Sequence, residues 1–129
     1  MTEKGILAMV RDQLMKAPAN PEMKPAQSPP DEALIKGISG RETKVKTRES
    51  MVPTGAFVDA KGALKAFEAA REVTEEYIKK TDDHLSEHYQ QSPAGVLNGR
   101  QFLVFMSGHT FRHIAQIEEV KADPNFPKK

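Results

Sequence analysis

Five of the nine prolines fall at positions 18, 21, 25, 29 and 30, and that cluster limits what the chain can fold into. Proline fixes φ and has no N–H, so residues 17–30 exclude both a helix and a central strand. Pro53, Pro93, Pro124 and Pro127 mark further breaks. Between the breaks lie segments of helical period, and none alternates with period two over more than about four residues. At 129 residues the chain has the size of one domain. The periodicity therefore predicts an all-α domain of antiparallel helices with one long structured loop.

The first helix is expected over about 5–16, where Ile6, Val10 and Leu14 are spaced by four with Leu7 beside them. A short one is expected from Asp31, its cap, to Gly40, its stop, with Leu34, Ile35 and Ile38 as the apolar residues. Residues 41–50 read as extended or irregular, and Val52-Pro53-Thr54-Gly55 as a turn. A long helix is expected over about 59–80. Asp59 caps it, and Leu64, Phe67, Ala70 or Arg71, Thr74 and Ile78 form its stripe. Residues 82–91 read as a polar turn or short helix, and Ser92-Pro93 and Asn98-Gly99 as loop punctuation. The last helix is expected over about 100–121. Its stripe is Phe102, Phe105, Met106, His109, His113, Gln116, Ile117 and Val120.

Composition removes several functions. There is no Cys, hence no disulfide, thiolate metal site or Cys nucleophile, and no reason to place the chain in an oxidising compartment. A net charge of +1 leaves no electrostatic footprint for nucleic acid. Arg41, Lys44, Lys46 and Arg48 are interrupted by Glu42 and Glu49 and read as a solvated loop. No apolar run approaches the roughly 20 residues that span a bilayer, and MTEKGILAMVRDQL is no signal peptide. A cytoplasmic protein with no nucleic-acid or membrane partner is the expectation. No Gly-rich phosphate loop, nucleophile elbow or HExxH is present.

The chemistry that remains is histidine. His109 and His113 are four apart, so both imidazoles leave one side of the last helix a turn apart. That spacing lets two nitrogens reach one divalent ion. Phe102, Met106, Ile117 and Val120 share the stripe, which predicts an inward face where imidazoles need a metal or hydrogen bonds. The other reading is a pair of helix-edge histidines without a ligand. His84 and His88 repeat the spacing among Asp82, Asp83, Ser86 and Glu87, a solvated setting.

From residue 100 the chain reads RQFLVFMSGHTFRHIAQIEEVKADPNFPKK. HxxxHxxQIEEVK followed by DPxFP resembles the C-terminal helix and tail of the DinB/YfiT-like superfamily. VPTGAF, the helix at 59–80 and DDHLSEH are similar to that family in order and spacing. The resemblance spans nearly the whole chain. It implies a DinB-like antiparallel four-helix bundle, commonly a homodimer. It also implies a metal site of three His, two of them from the last helix's HxxxH, which makes His109 and His113 metal ligands with Gln116 as their support. The implied cofactor is a divalent metal such as Zn, Ni, Fe or Mn. The implied activities are those of metal-dependent hydrolases and thiol S-transferases acting on small molecules.

Set against that family, TEKGILAMVRDQL resembles the back half of the second helix, and no His precedes His84. The expectation is a single partial domain over 1–129. The first helix and the start of the second are missing, by natural shortening or by a start assigned too far downstream. The three-His site is then incomplete and binds metal weakly. The rival from another class is a non-catalytic helical dimerisation or binding module that has lost its metal. A missing helix further predicts uncovered faces at Ile6, Leu64, Phe67, Phe102 and Met106.

Overall fold

A computed structural model of the chain describes residues 3–42, 49, 52 and 54–127. Helix α1 (Glu3–Ala8) passes without interruption into a π turn (Met9–Gln13) and a 3-10 turn (Leu14–Lys16). After the proline-rich link come α2 (Asp31–Ser39) and α3 (Ala60–Lys80). A hairpin of β1 (Tyr89–Ser92) and β2 (Gly95–Asn98) leads into α4 (Gly99–Lys121). The proline-rich link holds one 3-10 turn, Pro21–Met23. Asn20 ties it down: its Nδ2 donates to Tyr89 O at 2.9 Å and its Oδ1 accepts from Tyr89 N at 2.6 Å. Most of 41–50, with Lys44, Lys46 and Arg48, lies outside the described residues, as does Pro53 of the expected turn at 52–55.

Helices α1 and α2 and strand β2 pack against α4, while α3 packs on α1 and reaches α4 through Arg71. Along α1, Ile6, Leu7, Val10 and Leu14 are buried, together with Leu34, Leu97, Phe102, Leu103 and Met106. Each such side chain contributes about 1.5–3 kcal/mol relative to exposure. Met15 reaches Gly99 at one end, and Glu3 reaches Arg71 at the other, where Arg71 also bonds Thr110. Helix α1 therefore runs antiparallel to α4, and α3 does the same.

Helix α2 departs from the antiparallel expectation. Asp31 pairs with Arg100, Ile35 and Ile38 meet Gly108, and Arg41 just beyond α2 pairs with Glu119 at 2.9 Å. The partners advance in one direction, so α2 is parallel to α4. A Cβ on Gly108 would stand 3.2 Å from Ile38 Cβ and 3.3 Å from Ile35 Cα. Only the missing side chain lets these two helices come so close. Asp31 is spent on Arg100 rather than on capping, and Pro30 holds the N-cap position. Asp59 does cap α3, accepting from Gly62 N at 2.7 Å.

The all-α expectation needs a correction, because residues 89–98 form a two-stranded antiparallel hairpin with Tyr89 opposite Asn98 and Ser92 opposite Gly95. Four-residue strands are too short to display a period, and in β2 only Leu97 is buried. The turn has its own chemistry: Ser92, Pro93 and Gly95 occupy positions suited to a type I turn closed by a left-handed residue. Gly95 has φ +98°, and Ser92 Oγ donates to Gly95 O at 2.7 Å. Asn98-Gly99 is likewise more than loop punctuation. Asn98 Oδ1 accepts from Gln101 N at 2.8 Å while Gln101 Oε1 accepts from Asn98 N at 3.1 Å. This reciprocal cap starts α4 and contributes about 1 kcal/mol.

The expected uncovered faces divide in two. Ile6, Phe102 and Met106 are buried, contrary to expectation, because α1 lies directly on the first half of α4. Leu64 and Phe67 are exposed, as are Ile114, Ile117 and Val120. The stripe of α4 therefore points inward only along its N-terminal half.

Candidate metal-binding site

His109 and His113 sit where the covered half of α4 gives way to the uncovered half. His109 is half-buried and stacks on Phe105, with ring centroids 6.2 Å apart and planes 15° from parallel. His113 is exposed and meets His109 edge to face at 4.4 Å. Gln116 Oε1 lies 2.6 Å from His113 Nδ1. An acceptor there places the proton on Nδ1 and leaves Nε2 with its lone pair free. One turn further on, His113, Gln116, Ile117, Val120, Lys121 and Phe126 line an open depression of ≈ 480 Å³.

Burial, and after it the positive charge available to His113 and Arg112, pushes the His109 pKa down to about 4. At neutral pH this ring is an uncharged imidazole, the form that binds metal. The shift has a consequence for stability. The unfolded chain protonates His109 below about pH 6.5, and the folded chain does so only near 4. Unfolding takes up a proton in between, so stability falls as pH drops through that window. Replacing His109 with Gln is expected to flatten that slope in urea titrations at stepped pH. An unchanged slope would show that His109 titrates normally in the fold.

The second pair is elsewhere. His84 is exposed, 3.9 Å from Glu87 Oε1. His88 is half-buried at the hairpin base, its carbonyl accepting from Gly99 N at 3.1 Å and its Nδ1 buried without a partner. Gly99 and His109 are ten residues apart on α4, about 15 Å. The fold does not bring His84 or His88 to His109 and His113. Among the described residues, no group of three or more His, Cys, Asp or Glu is placed to hold a metal ion.

A polar centre one step away is absent from the sequence reading. Arg71 Nε stands 2.9 Å from Glu3 Oε1, Arg71 Nη2 donates to Thr110 Oγ1 at 3.0 Å, and the guanidinium lies 5.5 Å from the Phe67 ring centroid. Three helices meet at this one side chain. The ion pair is close but its N–H is not aimed at the oxygen, and Glu3 Oε1 is buried without a directed hydrogen bond. Burial raises the Glu3 pKa above its usual value, and Arg71 opposes the rise. The available signal was a cation at the Ala70–Arg71 step of the α3 stripe, one turn before Thr74.

A helical protein with an HxxxH pair at the edge of its packed core is the class this geometry defines. The chain belongs to the DinB superfamily, whose sequence pattern matches residues 5–117. No curated protein and no solved structure matches it. Among the described residues, no helix is long and apolar enough to cross a membrane.

Proposed function

We propose that this DinB superfamily member binds a divalent metal ion through His109 and His113, within a DinB-like four-helix arrangement. The observation that carries the reading is the approach of the two imidazoles, 4.4 Å between centroids, with Gln116 fixing the ring of His113. The donor set supplies two neutral nitrogens, which suits Zn, Ni, Fe or Mn. The other coordination positions fall to water or to another molecule, so affinity is low. Bound there, such an ion would polarise a substrate or acidify a bound water or thiol, the chemistry of metal-dependent hydrolases and thiol S-transferases.

Calorimetric titration with Zn²⁺ or Ni²⁺ tests this. The expected result is weak binding that is lost in His109→Ala and reduced roughly tenfold in Gln116→Ala. Tight one-to-one binding that survives His109→Ala would place the metal elsewhere. The exposed apolar residues Leu64, Ile117 and Val120 favour a second reading, a helical dimerisation module without metal. Purified protein that takes up no metal, yet self-associates, would decide for that one.

A further inference from the structure

Two independent demands meet at the junction between β2 and α4. The start of α4 needs a side chain that accepts from its first N–H groups, and Asn98 meets that need. The next position has no room for a side chain. A Cβ on Gly99 would stand 2.8 Å from Met15 Cε and 3.0 Å from Leu85 O. That carbonyl cannot swing away without losing the bond it accepts from Arg100 N at 3.3 Å. Position 98 is therefore Asn for capping and position 99 Gly for packing. Together they make Asn-Gly, the dipeptide in which asparagine most readily modifies itself, because glycine has no Cβ to shield its nitrogen.

The chemistry belongs to the dipeptide itself. The nitrogen of Gly99 attacks Asn98 Cγ, a C–N bond forms, and the side-chain nitrogen leaves as ammonia. Water then opens the cyclic imide at either carbonyl, which leaves aspartate or isoaspartate. The net change converts an amide and a water into a carboxyl group and ammonia. The attacking nitrogen must carry a proton and be unshielded. Of the chain's three asparagines, Asn20 precedes Pro21, whose nitrogen has no proton, and Asn125 precedes Phe126, whose side chain crowds the attack. Asn98 alone is followed by glycine.

Three features of the fold hold this reaction back. Gly99 N–H donates to His88 O at 3.1 Å, so the proton that must leave is engaged. Asn98 Oδ1 accepts from Gln101 N at 2.8 Å, which keeps the side chain on the helix end. The Asn98 backbone is extended, with φ −87° and ψ 171°. Ring closure requires that ψ to rotate, which carries Gly99 N off His88 O. All three restraints release together when the base of the hairpin parts from α4. We propose that Asn98-Gly99 is a self-modification site gated by the hairpin, closed while β2 is docked and reactive when the β2–α4 junction opens. The two products then differ in what they do to the fold. Aspartate still accepts from Gln101 N and adds a negative charge at the helix start, so the cap survives. Isoaspartate adds a carbon to the main chain between β2 and α4, which removes the cap and the spacing that the Gly99–His88 bond needs.

Peptide mapping by mass spectrometry tests the gate, on the full chain held at mildly alkaline pH in buffer and in denaturing guanidinium. Conversion at Asn98 is expected to be at least about tenfold slower in buffer, because its rate follows the population of the open junction. Leu97→Ala and Asn20→Ala each loosen one strand of the hairpin. Each is expected to speed conversion in buffer by about tenfold and to leave the rate in guanidinium unchanged. Asn98→Ser keeps a capping oxygen but has no carboxamide, so its peptide should show no conversion while the urea midpoint stays close to that of wild type. Equal rates in buffer and guanidinium would overturn the gate. If neither Leu97→Ala nor Asn20→Ala speeds the reaction in buffer, the hairpin is not what protects Asn98. Conversion of Asn125 ahead of Asn98 in guanidinium would show that the site itself is misplaced.

Discussion

Leu97→Ala is expected to destabilise the protein by about 3 kcal/mol, within the range for emptying a fully buried leucine site. Leu97 has 0% exposure and lies in the cluster formed by α1 and the first half of α4. It sits on β2, opposite Gln90 in the hairpin register. Leu97 is the β2 side chain buried in that cluster, while Asn20 and the buried Tyr89 hold β1, so the cavity would loosen the β2 side of the hairpin as well as the core. A domain of this size has roughly 5–15 kcal/mol in total, and the urea midpoint should fall by roughly 1–2 M. Val58→Ala, at a fully exposed position, provides the control and should stay within about 0.5 kcal/mol of wild type. A loss at Leu97 no larger than the control's would mean that the hairpin is not docked on the core.

Leu97 also marks the boundary of what the sequence reveals. The helices were legible because each repeats its signal several times: Ile6, Val10 and Leu14 in α1, the Asp59 cap before α3, and the long stripe of α4. A four-residue strand repeats nothing, so Tyr89 and Leu97 were hidden among polar neighbours. The Asn98 cap was hidden differently, since Asn-Gly is a turn signal and also a legitimate helix start.

Periodicity identifies a face and does not say what lies opposite it. Met106 and Ile117 share one stripe of α4, yet Met106 is 2% exposed and Ile117 58%. The difference comes from α1, which reaches Met106 and not Ile117. The candidate site straddles this boundary. The HxxxH spacing and the DinB resemblance were in the sequence, but the half-burial of one ring and the exposure of the other belong to the packing. Arg71 illustrates the same limit for charge, because nothing local in the sequence pairs it with Glu3, 68 positions away.

That pair carries the other large expected effect. The Glu3 side chain is only 7% exposed and that of Arg71 24%, so removing the guanidinium leaves a carboxylate with little access to water and no counter-charge. Arg71→Met keeps most of the volume and is expected to cost about 3 kcal/mol at pH 7. The cost should depend on pH with a definite sign. Burial already raises the Glu3 pKa in the folded protein, and losing Arg71 removes the larger of the two influences that oppose the rise, the other being a hydrogen bond from Thr74. A carboxyl whose folded pKa lies above its unfolded value favours the fold while it is protonated. That contribution is fully present below the unfolded value and is lost as pH rises through the folded one. The deficit of Arg71→Met relative to wild type, measured by urea titration at matched pH, should therefore shrink on acidification toward about pH 4.5. What remains at low pH reflects the bonds to Ser107 and Thr110, which do not titrate. Adding Glu3→Gln to Arg71→Met should recover much of the loss at neutral pH, since the stranded charge is gone and the two sites are in contact. A deficit that is equal at both pH values and unmoved by Glu3→Gln would locate the role of Arg71 in its contacts with α4 and Phe67 alone.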